Sequence, residues 1–305
     1  MKYIFSLILF YSSAITLLAQ GPVVGSGKMI TKKVSIEMFS ELEVTFPAHI
    51  EVNCQTHPNL EITVDDNMFK EIDIINRGNR LIIEAKNWID PSPNCKIIVG
   101  TPFLNRLKTG SYGDYSVFNI QTSTFKLENQ VAKVELSGNT QDLIIDNGTG
   151  EVDALALKAQ NVTVTTWDWS VVSISAQKNL IANTVGDGYI LYDKLPPIVE
   201  QNLEGGGKLI PIDEYIDPFI GIETEFIDVK VINEGNKKED IYIIGPPWQT
   251  FSYGVPLPKG QVREARVPIG TRVYQETTPY PKLLFEVKPE HANQLIKLFD
   301  RGEWN

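Results

Sequence analysis

An internal repeat of about 18 residues constrains the fold of this chain more than any other feature of its sequence. Apolar anchors recur at spacings of 18, 18, 19 and 18 residues, at Leu107, Phe125, Leu143, Val162 and Leu180. A second anchor follows in each unit, at Val117, Val134, Val152, Val171 and Tyr189. Because one such unit cannot bury its apolar face alone, the units must stack. The repeat predicts a parallel β-solenoid in which the first anchors form one inward column; the alternative is a run of antiparallel hairpins.

The segments on both sides of the repeat also have strand patterns. Apolar and polar residues alternate between residues 28 and 100, and Pro and Gly residues at 195–197 and 205–207 mark a boundary. Short strands resume after about Asp213, and an apolar face at helical spacing predicts a closing helix over 290–299. We therefore expect an all-β chain. A right-handed parallel β-helix-like solenoid would span 20–210, and a C-terminal β-sandwich-like module ending in a short helix would span 211–305.

The first 19 residues have the layout of a secretory signal peptide. Lys2 precedes an apolar stretch over residues 4–18, and Ala19 is a small residue at the expected cleavage site. The stretch is too short and too rich in Ser for a transmembrane anchor. We expect an exported protein in the periplasm, on the outer-membrane surface or outside the cell, with no membrane span in the mature chain.

The charge of the chain argues against nucleic-acid partners. There are 28 Lys and Arg against 38 Asp and Glu, a net charge of -10. An acidic chain offers no basic footprint for nucleic acid. Three His and two Cys residues show no zinc-ligand spacing, so we expect no metal and no cofactor. Calcium is harder to exclude because Asp65, Asp66 and Asp187 lie in turns, although neither stretch alternates oxygen ligands.

Three stretches before the repeats share a pattern of strands and turns: residues 39–44 with 48–52, residues 60–67, and residues 78–83 with 96–99. With these motifs, residues 39–207 resemble the putative auto-transporter adhesin, head-GIN family of exported bacterial domains. The end of the signal peptide, residues 17–20, is similar to those of the Bacteroidota, in which the family is common. The resemblance implies a β-helix-like domain with no established enzymatic activity. It does not extend to the module after Asp213.

Two interpretations are open for the only cysteines, Cys54 and Cys95. They form a disulfide, as is common in exported proteins, or they are two buried free thiols on apolar strand faces. A bridge would close a loop of about 40 residues and contribute roughly 3–4 kcal/mol in the chain-entropy model. His49 and His57 lie near Cys54, but no nucleophile signature surrounds it, which argues against a catalytic thiol.

Stacked carboxylates would indicate an enzyme that cleaves polysaccharides, since two acids about 5–9.5 Å apart can act as acid and base. Counted from the first anchors, Asp114 and Asp187 share a position but lie four coils apart, roughly 19 Å at the spacing of strands. We expect no pair of Asp or Glu on neighbouring coils between the two anchors. A carbohydrate-active enzyme on a parallel β-helix is therefore the alternative rather than the main hypothesis, and we expect no catalytic residues.

Four aromatic residues form the predicted ligand site. Tyr112 and Trp167 share a position in the turn of the repeat, three coils apart, with Tyr115 and Trp169 close by. Exposed rings in a line suit a sugar or a peptide. The alternative is that the rings cap the corner of the solenoid or pack under the C-terminal module. The coils between the first two rings carry a small or polar floor, Gln130 and Gly148.

These patterns together favour a non-catalytic, adhesin-like binding protein of the cell envelope or surface. Its ligand would be a glycan or an envelope protein. A purely structural envelope protein is the remaining alternative. A Pro- and aromatic-rich loop from Pro246 to Tyr253 would serve either as the interface between the modules or as a ligand loop.

Overall fold

A computed structural model describes residues 22–87, 89–110, 113–218, 221–246, 248–249, 251–275, 277 and 282–299. The predicted signal peptide and Tyr112 lie outside the described residues. Across the described ranges the chain is built from β-strands, and the helical segments there are 3-10 helices at Phe69–Glu71, Ile212–Glu214 and Pro289–His291. The all-β prediction is confirmed.

Ten short strands of the described chain precede the long repeats. They are β1 (Val23–Val24), β2 (Met29–Val34), β3 (Glu41–Val44), β4 (His49–Asn53), β5 (Asn59–Asp65), β6 (Ile72–Arg77), β7 (Arg80–Ala85), β8 (Ile89–Asp90), β9 (Lys96–Gly100) and β10 (Arg106–Thr109). Every second residue of β4 is buried, as its alternation of Ile and Val with polar residues predicts. Strands β3 and β4 pair in parallel with β10 and with the first long strand, so the solenoid begins here.

Seven strands complete the solenoid. They are β11 (Asp114–Asn129), β12 (Lys133–Asn147), β13 (Glu151–Trp167), β14 (Val171–Val185), β15 (Tyr189–Tyr192), β16 (Ile198–Glu204) and β17 (Lys208–Pro211). All of their pairings are parallel, so the β-solenoid is confirmed and the antiparallel hairpins are excluded. Each long strand joins the second half of one repeat unit to the first half of the next. Shifts of register mark the bend, where Gly138 at φ 130° allows close approach to Ile120.

Four of the five first anchors stack in one buried column as predicted: Phe125, Leu143, Val162 and Leu180. Leu107 is the exception, because it pairs with Leu42 on one side and Leu127 on the other. The first unit is therefore two residues longer than the repeat. A slip of two residues keeps the same side chains facing inward, so the hydrophobic pattern alone could not reveal it.

The second anchors are shifted in a similar way. The column on this side of the solenoid consists of the buried residues Ile50, Tyr115, Val134, Val152, Val172 and Ile190, and it ends in half-buried Leu209. Val117 lies two positions farther along its strand than predicted. Val171 and Tyr189 pair with each other one position before the column, which places them on the outer face.

The C-terminal module has two small sheets around a second apolar core. Its strands are β18 (Phe226–Asn233), β19 (Glu239–Ile244), β20 (Ser252–Leu257), β21 (Val262–Pro268), β22 (Arg272–Gln275), β23 (Lys282–Glu286) and β24 (Leu295–Leu298). One sheet has the order β21-β18-β24 and the other β20-β19-β22-β23. Residues from both sheets, among them Val229 and Ile241, share one buried cluster. This arrangement fits the predicted β-sandwich-like module.

The predicted closing helix over 290–299 is wrong. The segment forms a single 3-10 helix at its start and then β24, which pairs in parallel with β18. Asn293 and Phe299, with φ values of 60° and 62°, have left-handed backbone conformations that an α-helix does not allow. The edge of β18 offers backbone hydrogen bonds to this segment, so pairing with the sheet overrides the helical spacing of its apolar residues.

Candidate functional site

A ladder of buried polar side chains shapes one corner of the solenoid. Thr109, Asn129, Asn147, Thr166 and Thr184 occupy the same position on five successive coils. The Asn129 side-chain amide donates to Asn147 Oδ1 at 2.7 Å. Asn129 Nδ2 also donates to the Ala132 carbonyl, and Asn129 Oδ1 accepts a bond from the Ala132 amide. Asn147 Nδ2 donates to the Gly150 carbonyl at 2.7 Å. These bonds fix the turns that follow, so the next residues along the chain are held in place outside the corner.

Three of those next residues form the floor of a cleft: Gln130, Gly148 and Trp167. A side chain at Gly148 would come within 2.4 Å of the Gln130 carbonyl oxygen, so the chain can pass here only with glycine. The Trp167 indole nitrogen donates to Asp146 Oδ1 at 2.6 Å, which holds the half-buried ring in one orientation. The predicted floor of Gln130 and Gly148 beside Trp167 is thus present on three neighbouring coils.

The C-terminal module supplies the opposite wall of this cleft. Tyr242 and Ile244 come from β19, Tyr274 from β22 and Leu283 from β23. The cleft has a volume of about 480 Å³, within the range of small-molecule sites in proteins. Aromatic and aliphatic groups therefore face a floor that carries amide, hydroxyl and carboxylate groups.

A polar latch joins the two modules beside the cleft. Asp168 has a left-handed backbone with φ 55°, and its carboxylate accepts hydrogen bonds from the Arg272 guanidinium and the Tyr274 hydroxyl. Arg272 also bonds Glu286 at 2.9 Å and lies 3.5 Å from the centre of the Trp169 ring. Burial raises the pKa of Tyr274, so its hydroxyl keeps its proton and remains a donor. The latch fixes the wall against the floor.

Trp169 and Tyr115 both make contacts within the protein. Trp169 packs beneath Arg272 of the C-terminal module, which is the alternative stated for these rings. Tyr115 is 1% exposed because it takes the inward position between Ile50 and Val134, and its hydroxyl donates to the Val44 carbonyl at 3.3 Å. A surface position for Tyr115 is therefore wrong, whereas a ligand-binding role for Trp169 stays a prediction.

Tyr112 lies outside the described residues, so its predicted pairing with Trp167 stays a prediction. The position level with Gln130 on the preceding coil is taken by Gly110, since Thr109 pairs with Asn129. Among the described residues, Tyr242 and Tyr274 of the other module line the same cleft as Trp167.

Two carboxylates do stack on neighbouring coils, contrary to expectation. Glu128 pairs with Asp146, and both line the cleft. Burial raises the pKa of Glu128, but hydrogen bonds and charge from Arg106 and Lys126 outweigh it and hold the pKa below its ordinary value. Glu128 is therefore an ionised group bound to Arg106 at 2.8 Å, and Asp146 is engaged by Trp167. Both groups already have partners within the protein.

Cys54 and Cys95 are both free and buried, the second of the two alternatives for this pair. Lys96 pairs with His49, so Cys95 lies one position before the start of β4 and Cys54 one position after its end. Six residues of extended chain, roughly 20 Å, separate them along the strand direction. Burial raises the pKa of Cys54 to about 12 and that of Cys95 to about 11, so both thiols are unreactive.

The aromatic loop of the C-terminal module packs inward. The ring of Trp248 lies against Gly270, and Phe251 packs on the second apolar core. Among the residues that the structure describes, no group of three or more His, Cys, Asp or Glu could hold a metal ion. No helix in these ranges is long and apolar enough to cross a membrane.

Comparisons with known proteins show a similar fold and a match to one family. Residues 38–132 match the model of the family described as putative auto-transporter adhesin, head GIN domain, which confirms the resemblance over that segment. A crystal structure of a putative adhesin from Bacteroides fragilis NCTC 9343 matches with a TM-score of 0.54 and 21% identity, over 62% of this chain and 100% of that one. A putative lipid binding protein from Parabacteroides distasonis ATCC 8503 matches with a TM-score of 0.42 and 20% identity, over 63% and 100%. A comparison with curated proteins gives no match.

Proposed function

We propose that this chain, whose residues 38–132 match a family of adhesin domains, is a non-catalytic binding protein of the cell envelope or surface. Its ligand is a carbohydrate chain held in the cleft between the solenoid and the C-terminal module. The observation that carries this proposal is the position of Trp167, whose oriented ring lines the same cleft as Tyr242 and Tyr274.

The chemistry of the cleft suits a neutral sugar. Flat aromatic rings provide apolar area for the C–H faces of a sugar, and nearby amide and hydroxyl groups of Gln130 and Thr149 can bond its hydroxyls. The lining charges are already partnered: Lys108 bonds Glu43 at 2.7 Å, and Glu128 bonds Arg106. A charged ligand would therefore have to compete with these pairs.

A glycan array probed with the purified mature chain tests this function. We expect selective binding to neutral oligosaccharides, and an affinity roughly ten-fold lower for Trp167→Ala, because one stacked ring contributes about 1–1.5 kcal/mol. Phe103→Ala is the matched control, since Phe103 is an exposed ring outside the cleft. Equal binding by the parent and Trp167→Ala would refute the site.

Export is the second part of the proposal. The layout of the first 19 residues and the match to an adhesin family support cleavage near Ala19 and a location in the periplasm, at the outer-membrane surface or outside the cell. The mass of the protein recovered from its native envelope should correspond to a chain that begins near Gln20. A chain that retains residues 1–18 would instead indicate an uncleaved anchor.

A carbohydrate-active enzyme is a second candidate, favoured by one observation. Glu128 and Asp146 are neighbours on adjacent coils, and two carboxyls about 5 Å apart can cleave a glycosidic bond. The ionised state of Glu128 suits a nucleophile, but the bond from Trp167 to Asp146 opposes its use as an acid. We expect no release of reducing ends from any array ligand. Hydrolysis that disappears in Glu128→Gln would establish the enzyme.

A further inference from the structure

The last coil of the solenoid has an open strand edge. Strand β16 pairs with β14 on one side, and its seven residues are all exposed. The described chain provides no strand for its other edge. Strands β12 and β13, by contrast, have parallel neighbours on both sides. An unpaired edge presents a row of backbone donors and acceptors that can pair with another strand.

The inward side of β16 leaves the solenoid core uncovered. Val199 continues the column of Leu180, and Leu203 continues that of Thr184. Leu180 and Thr184 are each 1% exposed, whereas Val199 and Leu203 are 36% and 38% exposed. Stacked repeats normally end in a unit with a polar outer face, because the last unit has no neighbour to cover it. The part of the chain that the structure describes provides no such cover at this end of the solenoid.

The strand also lacks the features that protect open edges. Inward-pointing charges and prolines usually block pairing at a free edge. The inward positions of β16 are Val199, Gln201 and Leu203, and its only charges, Glu200 and Glu204, are on the outward side. Two prolines precede the strand but none lies within it. The edge is therefore free to accept a partner.

We propose that a second copy of this chain covers the edge with its own β16. A two-fold axis between identical edges makes the two strands antiparallel, and both apolar sides then face the joined core. With the axis at Gln201, Val199 lies opposite the second copy's Leu203. By symmetry, Leu203 lies opposite the second copy's Val199. Two solenoids then share one continuous sheet.

Charge selects this register over the neighbouring ones. Centred on Gln201, the pairing sets Glu200 against Asn202 and Glu204 against Ile198, so no like charges are opposed. A pairing with the axis at Asn202 would place Glu200 opposite Glu204. A pairing with the axis at Glu200 would place the two copies of Glu200 opposite each other. A shift by one residue would set inward side chains against outward ones. Of the registers compared, only the one centred on Gln201 pairs inward side chains with each other and opposes no like charges.

The paired form would carry two clefts and gain avidity for a multivalent ligand. One pair of seven-residue strands is smaller than the interfaces of stable dimers, so the association should be reversible and depend on concentration. The pairing does not depend on what the cleft binds.

Cross-linking of the mature full chain with Gln201→Cys tests the proposal. The two introduced thiols would meet at the axis, where Cα atoms of opposed strands lie about 4.5–5.5 Å apart and a disulfide can form. We expect rapid intermolecular disulfide formation under mild oxidation. Asn202→Cys is the matched control, because its thiols lie off the axis and should cross-link at least ten-fold more slowly. The native cysteines are buried and do not interfere.

Sedimentation of the unmodified chain gives a second, independent measurement. We expect a monomer–dimer equilibrium that Leu203→Lys shifts fully to monomer, with an unchanged circular dichroism spectrum because residue 203 is already partly exposed. A monomer at all attainable concentrations would overturn the proposal, as would equal cross-linking rates for the two cysteine variants. An edge occupied by a strand of a different protein would also overturn it.

Discussion

The solenoid and the C-terminal module bury their cores to different degrees. In the solenoid, column residues such as Val164 and Ile145 are 0–1% exposed, whereas Ile227 and Ile243 of the module are 8% and 7% exposed. Long strands stacked in register cover each side chain with the coil above and below. Short strands in two small sheets cover their core less evenly, although Ile241 and Leu257 are 1% and 0% exposed. The module therefore depends more on its contact with the solenoid, and the cleft lies at that contact.

The largest expected effect is a core substitution in the solenoid. Leu143→Ala removes a buried side chain between Phe125 and Val162, which should lower the free energy of unfolding by about 2–5 kcal/mol. Chemical denaturation, monitored by circular dichroism, should show two unfolding transitions. Only the transition of the solenoid should move to a lower denaturant concentration. A single transition that moves as a whole would contradict the division into domains at about residues 20–210 and 211–305, which we propose.

Loss of the asparagine ladder should have the next largest effect. Asn147→Ala removes the acceptor of Asn129 and leaves the Gly150 carbonyl without its side-chain donor, which should cost about 1–3 kcal/mol. Asn202→Ala, at an exposed position, is the control. Equal stability of the two variants would show that the ladder does not hold the corner.

Loss of the latch should have a smaller effect, which lowers the stability of the C-terminal module. Arg272→Ala removes the bonds to Asp168 and Glu286 and the contact with the Trp169 ring. We expect it to destabilise the module's transition by about 1–3 kcal/mol and leave that of the solenoid unchanged. Lys238→Ala breaks only an exposed ion pair with Asp240 and should change stability by less than about 0.5 kcal/mol. A shift of the solenoid transition by Arg272→Ala would contradict this assignment.

The weakest effect should appear only as the pH falls. Burial raises the pKa of Asp65, but hydrogen bonds from Ser92 and the Gly27 amide outweigh it and lower the pKa below its ordinary value. Folding therefore favours the charged form of Asp65. The stabilisation that this carboxylate contributes is complete above about pH 4 and is lost as the pH falls through the lowered pKa. Asp65→Asn should be less stable than the parent at pH 7. If the difference does not shrink towards pH 3, the carboxylate is not the cause.

The period of the sequence predicted the stacking of the solenoid, since inward residues must recur once per coil. It did not determine the register of the first coil, because a slip of two residues keeps Leu107 buried. The same slip places Tyr115 rather than Val117 level with Val134, and Tyr115 was already on the inward side by alternation with Val117. The stacked pair of Glu128 and Asp146 could have been predicted, since each follows its anchor, Phe125 or Leu143, by three residues.

No pattern in the sequence could have predicted the wall of the cleft. Tyr242 and Tyr274 lie on short strands whose alternation indicates a sheet but not the surface against which the sheet rests. The contact is made by single side chains such as Asp168 and Arg272, which are far apart in the sequence. Such contacts between modules follow no period, so only the folded structure reveals them.

In the function proposed above, both modules build one binding site. Its most direct test is the affinity of Tyr242→Ala, measured by titration calorimetry with the oligosaccharide that the array selects. We expect this variant, altered only in the wall from the C-terminal module, to keep its fold and to bind roughly ten-fold more weakly, as Trp167→Ala does. A Tyr242→Ala variant that binds as tightly as the parent, while Trp167→Ala loses affinity, would show that the solenoid binds its ligand alone.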